Sequence, residues 1–205
     1  MCRPIGSVFF VGCKIQELYV GQMNGLIKRD LYRYIGNDSN RFLYQLRYVL
    51  FTPGFQYIYF FRKASLARFS FSKLFYGICL KLCSYKYGIQ IPSSTRIGEG
   101  LRISHFGTIV VNPGAVIGKN FSIAEGCLIG NSQGKKSGCP VIGDNVCMQA
   151  NSIVVGGIKI GNHVLIAPGA FVNFDVPDNS IIIGNPGIII KRESSPTDKY
   201  NVFRV

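Results

Sequence analysis

A chain of 205 residues, 47% apolar and 16% charged, is long enough for one good core or two small domains and too apolar for general disorder. Its net charge of +13 favours an acidic partner, such as a phosphorylated cofactor, an anionic membrane surface or nucleic acid. Seven cysteines match no disulfide framework, and the two histidines, His105 and His163, have no cysteine pair at zinc-ligand spacing, so a reducing cytosol is the simplest compartment and no metal is expected.

In chain order, the start MCRPIGSVFFVGC has one Arg, a short apolar run and a Val-Gly-Cys that faintly resembles a lipoprotein cleavage site. The run is at the bottom of the signal-peptide range and contains Gly and Ser. No run of 18 uninterrupted apolar residues exists, so no spanning helix is expected. Residues 1–23 are read as a dispensable extension of doubtful order.

Residues 24–88 are aromatic and basic, with eleven Lys and Arg against two acids, Asp30 and Asp38. Leu43, Leu46, Val49 and Leu50, then Leu74, Ile78 and Leu82, follow helical spacing. Ser39 or Asn40 offers a helix cap, and TPG at 52–54 breaks the pattern. Two or three helices are expected. Their rings either pack on the rest of the protein or another subunit, or lie on an anionic membrane with cations such as Arg62 and Lys63 on lipid phosphates. No nucleic-acid motif accompanies the charge, so nucleic acid is not an expected partner.

From Ile89 the period becomes six. Aliphatic residues fall at Ile91, Ile97, Ile103 and Ile109, then Val111, Ile117, Ile123 and Ile129, then Ile142, Met148, Val154, Ile160, Ile166 and Val172. Small or apolar residues such as Leu101, Ala115, Cys127, Val146, Ile158, Val164 and Ala170 take the fourth place after an aliphatic. A six-residue period is neither helix nor simple alternation, and it fits short strands coiled into a parallel β-helix with three hexapeptides per coil. The reading is a mainly β protein: an α-helical region over 24–88, a β-helix over 89–192 and a tail over 193–205.

His105 stands in RISHFGTIVVNPGAVIG. Taken alone, a histidine between Ser104 and Phe106 reads as structural or exposed. The wider text changes that. LIKRDLYRY at 26–34, IGEGLRISHFGTIVVNPGAVIGKN, GKKSGCPVIGDNV and IIIGNPGIIIKR resemble the hexapeptide-repeat acyltransferases, in their serine acetyltransferase-like branch and its relatives from polysaccharide gene clusters. The resemblance runs from Asn24 to Arg192. It implies a left-handed β-helix, acetyl-CoA as acyl donor, no metal, and a homotrimer with each active site between two subunits.

The resemblance puts His105 at the general base, taking the acceptor hydroxyl's proton as the oxygen attacks the thioester; a positioned base commonly contributes about 10² to 10⁴-fold. It implies phosphate contacts at Lys135, Lys136, Lys191 and Arg192, and pantetheine contacts at Asn131, Ala150 and Pro168. Three positions depart from the serine-specific pattern: Ser104 replaces an aspartate, Gln90 stands at the acid that orients the histidine, and Cys139 replaces a loop histidine that grips the serine carboxylate. With those charges gone, a sugar hydroxyl in surface polysaccharide synthesis is the expected acceptor. Serine O-acetylation and a non-catalytic binding scaffold are the alternatives. One coil plus a two-residue slip separates Glu125 from His105, so Glu125 is expected one coil above it as the orienting acid. His163 is read as a corner residue, and Cys139 lacks a neighbouring base for nucleophilic chemistry. The expected location is cytoplasmic, at the inner face of the membrane.

Overall fold

Every sixth residue of the second half is an aliphatic with nowhere to go but inward, and the chain turns a corner between each pair. The computed structural model describes residues 25–205. The extension read over residues 1–23 lies outside the described residues.

Fifteen short strands build three faces among the described residues. Strands β1 (Ile89–Gln90), β4 (Ile109–Val111), β7 (Leu128–Gly130), β10 (Ile153–Val155) and β13 (Phe171–Val172) form the first face. The second face is β2 (Arg96–Ile97), β5 (Val116–Ile117), β8 (Val141–Ile142) and β11 (Lys159–Ile160). The third is β3 (Arg102–Ile103), β6 (Ser122–Ile123), β9 (Cys147–Met148), β12 (Leu165–Ile166) and β14 (Ser180–Ile183), closed by the antiparallel β15 (Ile188–Lys191). All other pairings are parallel. The first coil spans 20 residues, since Ile89 pairs with Ile109 and Ile103 with Ile123, and the next spans 18, since Val110 pairs with Leu128. Ile103, Ile109, Ile123, Ile129, Val154 and Ile166 are at most 1% exposed and stack into one narrow core.

Sharp corners need left-handed backbone. Asn120, Asn145, Asn151 and Asn179 supply it with φ of 54 to 59°, and His163 takes the same slot at 56°. His163 Nδ1 lies 3.0 Å from Ser195 Oγ, so this histidine ties a corner to the tail, as its sequence position suggests.

The helical region has four α-helices: α1 (Gly25–Ile35), α2 (Phe42–Phe51), α3 (Pro53–Leu66) and α4 (Ser70–Tyr87). One expectation changes: Ser39 and Asn40 belong to a 3-10 turn, and Arg41 precedes α2 with no side-chain cap bond. TPG does break the pattern, since α2 ends at Phe51, and its Pro-Gly then starts α3, because proline fits the first helical position, where its missing N–H has no partner to lose.

Arg62 also departs from expectation. Far from facing lipid, it is 3% exposed and pairs with Asp30 of α1, Nε to Oδ2 at 2.7 Å. It donates as well to the carbonyls of Ile97 and Gly98 at 2.7 and 2.6 Å, while Asp30 accepts the Leu101 N–H at 2.8 Å. Burial pushes the Asp30 carboxyl up, and the Arg62 guanidinium pulls it back down. This cluster bolts α1 and α3 to the first coil. Lys63 is half-buried with Nζ over the rings of Tyr59 and Tyr76. Gly54 completes the seat: a Cβ there would stand 2.6 Å from the Ile103 carbonyl oxygen, so α3 packs directly on β3.

The last residues return to the body. Thr197 and Asn201 are buried, and Asn201 Oδ1 accepts from Arg33 Nη2 at 2.6 Å and Ser122 Oγ at 3.1 Å. Val205 and Asn120 exchange two bonds of 2.9 and 3.0 Å. The tail is a strap across α1 and the third face.

Candidate active site

His105 lies just past β3, at the corner between the third and first faces. The ladder ends at Ser104, whose N–H donates to the Ile123 carbonyl at 2.9 Å. The two extra residues of the first coil fall between Ile103 and Val110, so the chain bulges there and leaves Ser104, His105 and Phe106 exposed. Phe106 packs edge-on against Tyr87 of α4, ring centroids 5.7 Å apart, which steadies the bulge. Gly107 takes φ of 148°, a value glycine alone adopts readily.

Glu125 sits one coil up, over Gly107, where a Cβ would come within 3.1 Å of the Glu125 Cβ. No hydrogen bond joins Glu125 to His105 among the described residues, and Glu125 Oε2 is buried without a partner. Gln90 is exposed on β1, across the corner from β3.

His105 opens on a cleft of about 410 Å³ on the outside of the third face. Its floor is the outward stack of Arg102, Ser122 and Cys147, with Ser104 and Ala124 beside it; the tail residues Lys199, Tyr200 and Val202 form the opposite wall. None of the lining residues is acidic. Arg102 lies under the Tyr34 ring, 5.7 Å from its centroid, and reaches the Tyr200 carbonyl oxygen at 3.5 Å; its Nε is buried without a partner. Arg33 lies behind, giving Nη2 to Ser122 Oγ at 2.7 Å. Burial lowers its guanidinium to about 10, so it keeps its charge at neutral pH. Burial pushes the Cys147 thiol up to about 11, which keeps it neutral and unreactive there. The cleft is therefore a cationic, acid-free pocket beside an exposed imidazole. Its chemistry suits an anionic group such as a carboxylate, held next to a base.

The residues expected at the acyl donor lie at all three corners. Ala150 and Pro168 follow β9 and β12 above His105 on its own corner. Asn131, Lys135 and Lys136 are exposed on the loop between the first and second faces, and Lys136 Nζ pairs with Asp175 at 2.6 Å. Lys191 ends β15 and Arg192 follows it near the third corner, between the second and third faces, where Lys191 pairs with Ser180. One chain does not bring these groups together. Cys139 donates to Asn112 Oδ1 at 3.2 Å and has no base beside it. No group of three His, Cys, Asp or Glu converges at metal distance among the described residues.

Two residues of the cleft escaped the sequence reading. Arg102 stands three places before His105, and the inward Ile103 between them was the available signal: its neighbours Arg102 and Ser104 must both face out. Lys199 is 94 positions from His105 in sequence, and nothing local marks it.

No family model matches the chain. Among curated proteins it is 36% identical over 124 residues to serine acetyltransferase 4 of Arabidopsis thaliana, covering 58% of this chain and 35% of that protein. It is 36% identical over 115 residues to the serine acetyltransferase of Staphylococcus epidermidis, covering 55% of this chain and 54% of the relative. The chain thus spans a third to about half of these relatives. Solved structures agree over more of it. The Neisseria gonorrhoeae serine acetyltransferase in complex with serine superposes with a TM-score of 0.65 and 27% identity over 90% of this chain and 78% of that one. A soybean serine acetyltransferase complexed with serine gives 0.67 and 26% over 84% and 72%. The fold is the left-handed β-helix with N-terminal helices that these proteins share.

These findings correct the expectation of a sugar acceptor in polysaccharide synthesis. The relatives are serine acetyltransferases, two of them solved with serine bound. The physical premise fails as well: the loop has lost its cation, but the cleft has Arg102 and Lys199, one from β3 and one from the tail. Over the coils the chain is similar in sequence to serine acetyltransferases, and over most of its length it shares the fold of their solved structures.

Proposed function

We propose that the chain is an acetyl-CoA-dependent O-acetyltransferase whose acceptor is the hydroxyl of serine. The observation that carries this is the exposed His105 at the mouth of a cleft whose ionic groups are Arg102 and Lys199. The cations hold the amino-acid carboxylate and turn the side-chain hydroxyl toward the imidazole. His105 takes the hydroxyl proton as the oxygen forms its bond to the thioester carbonyl carbon. Collapse of the tetrahedral adduct breaks the C–S bond, and the CoA thiolate leaves with the proton that His105 returns. The products are O-acetylserine and CoA. Ser104, next to the base, carries no charge to compete with the guanidinium for the substrate.

We also propose a homotrimer. The groups assigned to the acyl donor sit at three corners of one β-helix, and a threefold assembly sets a corner of one copy against another corner of the next. The five free cysteines among the described residues suit the reducing cytoplasm, where we place the reaction.

The test follows CoA thiol release with L-serine as acceptor. The parent protein should turn over, and His105→Ala should lose about 10² or more in kcat while keeping fold and oligomeric state. Transfer to serine at the same rate in both proteins would remove His105 from the mechanism. No transfer to serine in the parent would remove the acceptor assignment.

A further inference from the structure

Helix α4 is packed on one side only. Leu80, Cys83 and Tyr87 are buried against the rest of the protein. The opposite side carries Phe71, Leu74, Phe75, Ile78, Leu82 and Tyr85, from 52% to 82% exposed. At 100° per residue these six fall within an arc of about 100°, the width of stripe that a helix ordinarily buries. A continuous apolar face of this size marks an interaction surface.

The charges say what kind. On the helical projection Lys81 and Lys86 border the stripe on its two sides, both exposed. No acidic residue occurs between Asp38 and Glu99. A second copy docking by this face would set cation on cation with no acid to relieve them, and protein interfaces are depleted in lysine. Residues 1–24 contain one acid, Glu17, against Arg3 and Lys14, so they bring no matching charge. An apolar stripe with a cationic border fits a surface that is apolar within and anionic at its edge. That describes an anionic lipid bilayer. No helix among the described residues is long and apolar enough to cross one, so α4 would lie in the surface plane.

We propose that α4 seats the protein peripherally on anionic lipid, with Phe71, Leu74, Phe75, Ile78 and Leu82 in the interface and Lys81 and Lys86 on lipid phosphates. The contact surface is α4, and the buried Arg62 has no part in it. Sedimentation of the full chain with phosphatidylcholine vesicles, with and without phosphatidylglycerol, tests this. The parent should pellet with the anionic vesicles and stay in solution with the neutral ones. Each cation near such a surface contributes about fivefold in partition, so Lys81→Glu with Lys86→Glu should weaken binding about 25-fold or more. Phe71→Ser with Leu82→Ser should weaken it about tenfold or more. All four side chains point outward, and light scattering should find the oligomeric state unchanged in both pairs. Equal pelleting on neutral and anionic vesicles, binding unaffected by either pair, or an oligomer that dissociates in the Phe71→Ser, Leu82→Ser protein would overturn the proposal. The last result would show that a second copy covers the face. Pelleting is read without any acetyl transfer, so it stands or falls apart from the serine assignment.

Discussion

In the proposed function, Arg102 couples acceptor recognition to the strand that carries His105. Its Cα is fixed by the β3 ladder, its guanidinium lies against the Tyr34 ring, and three residues on is His105. An unpartnered donor buried at the edge of a cleft is a costly arrangement for stability alone, and a bound carboxylate would satisfy it. Arg102→Gln should therefore raise KM for serine about tenfold or more, the loss of one charged hydrogen bond, and leave KM for acetyl-CoA within about twofold. Steady-state kinetics varying each substrate separately would check it. A fall in kcat with both KM values unchanged would instead make Arg102 a support for the bulge. His105 stands out in the sequence because its motif is contiguous, and the fold exposes it at the mouth of the cleft. The two-residue slip beside it can be counted in sequence but not located within the coil, and the strand registers put it between Ile103 and Val110. Lys199 was illegible because it reaches the cleft only through the folded tail.

Among elements, the β-helix was the most legible. Each inward position must be aliphatic, since a stack with one exposed slot loses burial worth about 25 cal/mol per Å², and so the six-residue period survives in the text. The helices were less so. Their capping is weak, the proline that ends one helical stretch also starts the next, and α1 and α3 are held by a polar cluster that no periodicity announces. That cluster makes a stability prediction. In Arg62→Ala the Asp30 carboxyl stays buried with its main partner gone, a loss of about 3 to 5 kcal/mol. Replacing both, Asp30→Leu with Arg62→Met, should recover much of it, because two apolar groups leave no charge behind. Urea unfolding of the three proteins measures this. A cost under about 1 kcal/mol for the single change would mean that water reaches the pair.

At the scale of the whole molecule, sequence-distant parts make the surfaces that matter. The cleft proposed for the acceptor joins β3 to the last seven residues, which is why motifs alone show lost charge and point to the wrong acceptor. The groups proposed for the donor are spread further, over three corners, so in the proposed trimer a single chain is half a site. Mixed assemblies can test that. Let one preparation carry His105→Ala and another Lys135→Glu with Lys136→Glu, each with little activity. If base and loop meet across a subunit boundary, a site works where an intact base from one kind faces an intact loop from the other. Random equal mixing in a threefold ring then restores about a quarter of the parent's sites. If base and loop act within the same chain, every site keeps one defect and mixing restores nothing. Co-refolding the two preparations and measuring CoA release before and after mixing separates the cases. Recovery near a quarter is the expected result, and none at all would return the donor site to a single subunit.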